Sequence, residues 1–245
     1  MAGLGLVGVT DVARSFGPNI YDADVESIAK WLKREWLGRT GGGFNYNPAL
    51  YAAVRLMKRE WSYEQALQHV RTRGPSFGQP SNEAVLDALV DYLMAHTGPV
   101  YEVRHAAVIV GKAGGRGVHI GVKAPLVRVQ EGKASVVYPA FRKTYLPTEQ
   151  QAVLECSIVR EVTAQNDFYG AELEYVSARS TGKGLERVCV VRSSSDLELL
   201  DKSVVDNLLG KYVDAVKQLW AEGVGLQQPR LGSYHVVDPD QKDLF

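Results

Sequence analysis

The sequence predicts an α+β fold: a helical N-terminal part, then a mixed or antiparallel sheet of about five strands flanked by helices. Two observations predict it. Apolar residues recur at helical spacing through most of the first hundred residues, and short β-branched segments separated by glycine turns follow from about residue 101. Helical stretches interrupt and follow these segments, which is typical of an α+β domain.

Four helices are expected before residue 98, and each has a visible start or stop. The first covers residues 22–37, where Asp22 or Asp24 can cap its start and a run of glycines from 41 to 43 follows its end. The others are expected at about 48–60, 63–73 and 82–96. The fourth carries the clearest apolar stripe of this part, at Val85, Leu86, Leu89, Val90 and Leu93.

The strands are expected between residue 101 and residue 192. Residues 101–110 are β-branched and apolar, 118–122 alternate and 126–129 continue them, and the Glu131-Gly132-Lys133 turn leads into 134–141. A helix from Pro147 to about Ala164 precedes two more strands at 171–177 and 187–192. The last helix, from about residue 203 to 220, has the strongest apolar stripe in the chain.

These elements divide the chain into a helical part (1–98), an α+β core (99–222) and a flexible C-terminal tail (223–245). A formal net charge of zero indicates that the whole chain is no general binder of nucleic acid. The two cysteines and five scattered histidines show no metal-ligand spacing, so no cofactor is expected. No apolar run is long enough to span a membrane and no secretory signal is visible, which favours a cytoplasmic protein without membrane contact.

The most informative segment is the C-terminal one, Gln241-Lys242-Asp243-Leu244-Phe245. It resembles the short peptide, a Gln, two variable positions and Leu-Phe, with which bacterial replication and repair proteins bind the DNA sliding clamp. The resemblance implies that Leu244 and Phe245 insert into an apolar pocket of the clamp while Gln241 fixes the register, with Asp243 at a position where Asp is frequent. Lys242 departs from the commonest pattern, which has Leu there. The alternatives are a tail that packs on its own domain and a tail without a role.

The order of helix, three strands, helix and strand resembles the PD-(D/E)XK nuclease core. That family holds Mg²⁺ with an acidic residue on the second strand and Glu or Asp-x-Lys on the third. The corresponding stretches, residues 124–128 and 138–143, contain no acidic residue. The resemblance therefore implies a fold without the usual catalytic site.

A divergent metal site remains an alternative. Glu172 and Glu174 lie two apart on a predicted strand and hence on one face, with Asp167 just upstream. The more ordinary interpretation is that this face of the strand is exposed to solvent. Possible nucleic-acid contacts are the basic residues of the glycine-rich turns and of the segment beside Phe141: Lys112, Arg116, Arg142, Lys143 and Lys183. The turns themselves match no phosphate-binding loop and favour ordinary hairpins.

No enzyme motif is visible in the sequence, which favours a protein that acts by binding. Our first hypothesis is a non-enzymatic ligand of the sliding clamp that acts in DNA replication or repair, or that inhibits replication as a toxin or phage-type regulator would. The alternatives are a clamp-recruited repair or defence nuclease that uses Asp167, Glu172 and Glu174, and a globular adaptor subunit without a clamp role.

Overall fold

The chain forms an α+β fold with two mixed sheets and seven α-helices, in a computed structural model that describes residues 4–38, 45–96, 98–124, 126–142, 146–163, 168, 170–225, 231–232 and 234–237. The strands are β1 (Leu6–Gly8), β2 (Val100–Glu102), β3 (His105–Ala113), β4 (Arg116–Val122), β5 (Leu126–Gln130), β6 (Lys133–Ala140), β7 (Glu172–Ser180), β8 (Arg187–Ser193) and β9 (Tyr234–Val237). The helices are α1 (Val9–Ser15), α2 (Val25–Trp31), α3 (Asn47–Met57), α4 (Tyr63–Thr72), α5 (Gln79–Ala95), α6 (Glu149–Thr163) and α7 (Lys202–Ala221).

The five-stranded sheet confirms the main prediction. Its order is β2-β5-β6-β7-β8, and β6 and β7 are parallel because α6 connects them as a crossover helix. The hairpin between β5 and β6 turns at Glu131 and Gly132, which both have positive φ, as a tight turn of this kind requires. Within the described residues, no helix is both long and apolar enough to cross a membrane.

Helices cover both faces of this sheet, so its central strands are buried on both sides. One face packs against α3, α4 and α5, in a cluster that takes Val137 from β6 and Val176 from β7. The other face packs against α6, in a larger cluster that also includes α1, α2 and α7 and takes Tyr138 and Tyr175 from the same two strands. The face of β7 that carries Glu174 is therefore covered, and the expectation of a wet face is wrong at that residue.

The second sheet differs from the prediction. Its order is β1-β4-β3-β9, and its two outer strands come from opposite ends of the described chain. The predicted strand at 101–110 is in fact two strands, because β2 joins the five-stranded sheet while β3 belongs to this one. The strand β1 and helices α1 and α2 share a core with α7, so the packing does not follow the predicted division at residue 98.

The predicted flexible tail from Gly223 onward also contains an ordered strand. Residues Tyr234–Val237 form β9, which pairs in parallel with His105–Val108 of β3. Parallel pairing requires a long connection and leaves no local signal, which is why the sequence pattern after residue 223 does not predict this short strand. The strand β9 lies at the edge of its sheet.

Candidate functional site

The predicted clamp-binding residues Gln241, Asp243, Leu244 and Phe245 lie outside the described residues. The structure does place the segment that precedes them. The strand β9 ends at Val237, which pairs with Val108 of β3, and only three residues separate it from Gln241. Four residue steps lead from Val237 to Gln241 and span at most about 14 Å.

The two predicted carboxylates on β7 have different surroundings. Glu172 is exposed at the start of the strand, whereas Glu174 is buried beneath α5. The Glu174 carboxylate accepts hydrogen bonds from Arg128 Nε (2.9 Å), from the second Arg128 nitrogen Nη2 and from the Tyr92 hydroxyl (2.7 Å). Burial alone would raise the pKa of Glu174, but these hydrogen bonds outweigh it and leave the pKa lowered.

Glu174 therefore serves as the anion of a buried ion pair. The third predicted ligand, Asp167, lies outside the described residues. Within the part of the chain that the structure describes, no three His, Cys, Asp or Glu side chains come together in a way that could hold a metal ion. Neither β5 nor β6 carries a carboxylate, in agreement with the sequence.

The described members of the predicted nucleic-acid contacts lie on different elements. Lys112 and Arg116 are exposed on the β3–β4 hairpin of the four-stranded sheet, and Lys183 is exposed in the turn between β7 and β8 of the other sheet. Arg142, which follows β6, is engaged in an ion pair with Asp11. Lys143 lies outside the described residues.

A cavity of about 560 Å³ lies where the two sheets meet, and we call it the cation-lined cavity. It is bounded by the end of β1 and the start of α1, the ends of β4 and β6, the second half of β7, the start of α3 and β9. Its volume is in the range of small-molecule sites. Three cationic side chains, Lys123, Arg142 and Arg179, and four tyrosines, Tyr46, Tyr138, Tyr175 and Tyr234, contribute to its lining.

One wall of the cavity is held by a buried amide. Asn82, on α5, donates from Nδ2 to the carbonyls of Asn45 (3.1 Å) and Gly78 (3.0 Å), and its Oδ1 accepts from the backbone N–H of Ala49 (3.0 Å). These bonds fix the start of α3, which carries the cavity-lining Tyr46. The Tyr46 hydroxyl in turn accepts a hydrogen bond of 2.6 Å from Arg187.

The opposite wall contains a second buried carboxylate, Glu155 of α6. Its Oε1 accepts hydrogen bonds from the hydroxyls of Thr10 and Tyr138, each at 2.5 Å, and its Oε2 has no partner within the described residues. Burial raises the pKa of Glu155 against the opposing effect of these two hydroxyls. Next to it, Arg142 binds both oxygens of the fully buried Asp11, at 2.7 and 2.5 Å.

The charges around the cavity do not balance. Arg142 is paired with Asp11, but within the described residues neither Lys123 nor Arg179 has a hydrogen-bond or ion-pair partner. Lys123 lines the cavity and remains partly open to solvent, and desolvation and then the positive charge of Arg142 lower its pKa. Arg187 behind Tyr46 is buried, and its partners are neutral: the carbonyls of Phe141 and Ala178 and the Tyr46 hydroxyl.

Of the cavity residues, sequence reasoning singled out Arg142 alone. The others come from segments more than a hundred residues apart, such as Thr10 and Lys123, and none of them belongs to a local motif. No sequence signal marks them, because cations near strand ends, such as Lys123 after β4 and Arg179 in β7, are ordinary.

Comparisons with known proteins do not supply a family. No protein-family model matches the chain, and no curated protein is significantly similar to it. Among solved structures, that of SSO0001 is similar with 14% sequence identity over 77% of this chain and 84% of that chain, at a TM-score of 0.35. A TM-score below 0.5 does not establish a shared fold, so any functional inference has to come from the residues of this chain.

Proposed function

We propose that the protein binds the bacterial DNA sliding clamp through residues 241–245 and acts in DNA replication or repair by this binding. The observation that carries the proposal is the segment Gln241-Lys242-Asp243-Leu244-Phe245 itself, with an aliphatic and an aromatic anchor after a polar, proline-containing stretch. Two adjacent anchors that fill a preformed apolar pocket supply most of the affinity of such a small interface.

The surroundings of Glu174 favour binding over the nuclease alternative. A catalytic metal ion needs carboxylate oxygens that are free to coordinate it. Glu174 is instead committed to Arg128 and Tyr92, and removing it from Arg128 would leave a buried guanidinium unpaired. The nuclease alternative predicts Mg²⁺- or Mn²⁺-dependent cleavage of DNA by the purified protein, whereas our proposal predicts none.

The test is binding of the full chain to an immobilised bacterial sliding clamp. Replacing both Leu244 and Phe245 by Ala should weaken binding about 100-fold, because each anchor is worth more than about 1–2 kcal/mol. The matched control is Lys242→Ala, at a variable position between Gln241 and the anchors, which should bind within about twofold of the unchanged chain. Equal losses from the control and the double variant would contradict the anchor model.

The competing interpretation, a tail packed on its own fold, has a separate readout. An apolar groove of about 270 Å³ lies beside the end of β9, lined by Val103, Val122, Phe168 and Val237 among others. If Leu244 and Phe245 occupied it, a chain ending at Pro239 would melt at a clearly lower temperature. Our proposal predicts nearly the same melting temperature for this shortened chain, together with complete loss of clamp binding.

A further inference from the structure

We propose that the cation-lined cavity binds a nucleoside phosphate, independently of the sliding clamp. The first step of the argument is electrostatic. Lys123 and Arg179 reach the cavity without an anionic partner among the described residues, and the buried Arg187 stands behind its wall with neutral partners alone. Lys123 is exposed and Arg179 is half-buried, and positive charge gathered around a concave space attracts an anion.

The carboxylates near the cavity do not remove this excess of positive charge. Asp11 is neutralised by Arg142, which holds both of its oxygens, and Arg14 also lies within 3.5 Å of it. Glu155 is fully buried, and the hydroxyls of Thr10 and Tyr138 occupy its Oε1, so it forms no ion pair with either cation among the described residues. An entering anion therefore meets Lys123 and Arg179 as the uncompensated groups.

The second step concerns the shape and polarity of the walls. Tyr46 and Tyr234 are half-buried and line the cavity from different layers. Tyr46 precedes α3, with the Arg187 guanidinium 5.1 Å from its ring centre, and Tyr234 lies on β9, with the His105 ring 6.0 Å away. Tyr234 has room because residue 121 is a glycine, whose missing Cβ would lie 3.3 Å from the Tyr234 ring. Aromatic rings stack readily on nucleobases, and this stacking tolerates different bases.

Together these features fit a ligand with two parts. The phosphate would pair with Lys123 and Arg179, as guanidinium and ammonium groups do in phosphate sites. The planar base would lie against the parts of the Tyr46 and Tyr234 rings that the protein leaves uncovered. Inorganic phosphate would contact the two cations alone, and an uncharged nucleoside would contact the two tyrosine rings alone.

The experiment is calorimetric titration of the full chain with AMP, ADP and ATP, and with adenosine and inorganic phosphate as the separate halves. We expect binding of at least one nucleotide that is tenfold or more tighter than that of either half. Lys123→Gln combined with Arg179→Gln should weaken this binding at least tenfold. The control Lys30→Gln removes an exposed cation from α2, which does not line the cavity, and should bind as the unchanged protein does.

A second variant removes space instead of charge. Gly8 lines the cavity, its φ of −66° is open to any residue, and a Cβ added there meets no atom within 4 Å. Gly8→Leu should therefore reduce nucleotide affinity while all the cations stay in place, with retained folding verified by its melting temperature. The proposal is overturned if none of the three nucleotides binds, if adenosine or phosphate binds as tightly, if neither cavity variant weakens binding, or if a single-stranded oligonucleotide binds where the nucleotides do not.

Discussion

Glu174 and Glu155 are both buried carboxylates, yet their environments move their pKa values in opposite directions. Glu174 lies on the α5 side of the five-stranded sheet and is held by the Arg128 guanidinium, so its pKa is lowered. Glu155 lies on α6 at the other face and is held by two neutral hydroxyls, so burial prevails and its pKa is raised. Deeper burial at Glu155 and the cationic partner at Glu174 act together to separate the two pKa values.

The largest expected effect comes from breaking the ionised pair. Arg128→Leu should lower the free energy of unfolding by about 3–5 kcal/mol, because it leaves the Glu174 charge buried without a partner. Urea denaturation measures this. The matched control is Arg71→Leu, which breaks a solvent-screened pair with Glu83 and should cost far less. Similar losses in the two variants would mean that Glu174 is not held as an ion.

Removing one tyrosine hydroxyl that donates to each carboxylate sharpens the comparison between Glu174 and Glu155. Tyr92→Phe removes a hydrogen bond to a carboxylate whose pKa is lowered and should cost about 1.5–3 kcal/mol, whereas Tyr138→Phe removes one from Glu155, whose pKa is raised, and should cost about 1 kcal/mol. Both variants keep the aromatic ring and its packing. The reverse order of the two losses, measured by denaturant unfolding, would show that Glu155 carries the greater charge.

Glu155→Gln should change the free energy of unfolding least at acid pH. The sign of its pH dependence is the clearest of these predictions. Because the folded-state pKa of Glu155 is raised above its ordinary value of 4.5, the folded protein binds the proton more tightly than the unfolded chain. This favours folding at low pH, and stability is lost as the pH rises above 4.5 through the folded pKa. The Gln variant should lack this loss. Its free energy of unfolding, relative to that of the unchanged protein, should therefore rise with pH.

Glu174 should behave in the opposite way in the same pH series. Its lowered pKa contributes stability that is present above 4.5 and is lost as the pH falls through the folded value. Unfolding free energies of the unchanged protein and of Glu155→Gln between pH 3 and pH 8 therefore separate the two groups. If the Gln variant is instead most stable relative to the unchanged protein at low pH, the pKa of Glu155 is not raised in the folded protein.

The elements that the sequence predicted well are those with strong local patterns. The stripe from Val85 to Leu93 became α5, and the Glu131-Gly132 turn became the β5–β6 hairpin, because helix periodicity and turn geometry depend on near neighbours. The strands β1 and β9 were missed, since each is short and is paired in parallel with a strand more than a hundred residues away.

The candidate sites also divide into those that depend on local sequence and those that depend on contacts between distant segments. The pairing of Glu174 with Arg128 depends on two strands that are separated by β6 in the sheet and by 46 residues in the chain, so two carboxylates on one strand looked like metal ligands. The cation-lined cavity depends on the arrangement of both sheets and was invisible in the sequence. The motif at residues 241–245 needs no tertiary structure, which is why the sequence alone could suggest a partner.

The most direct test of clamp binding through residues 241–245 is hydrogen–deuterium exchange of the full chain with and without the bacterial sliding clamp. Our account predicts that the clamp slows exchange in the peptides that cover Gln241 to Phe245 and leaves residues 4–225 unchanged, including the β3–β4 hairpin with Lys112 and Arg116. Protection on that hairpin or around the cation-lined cavity, with no change at residues 241–245, would contradict it.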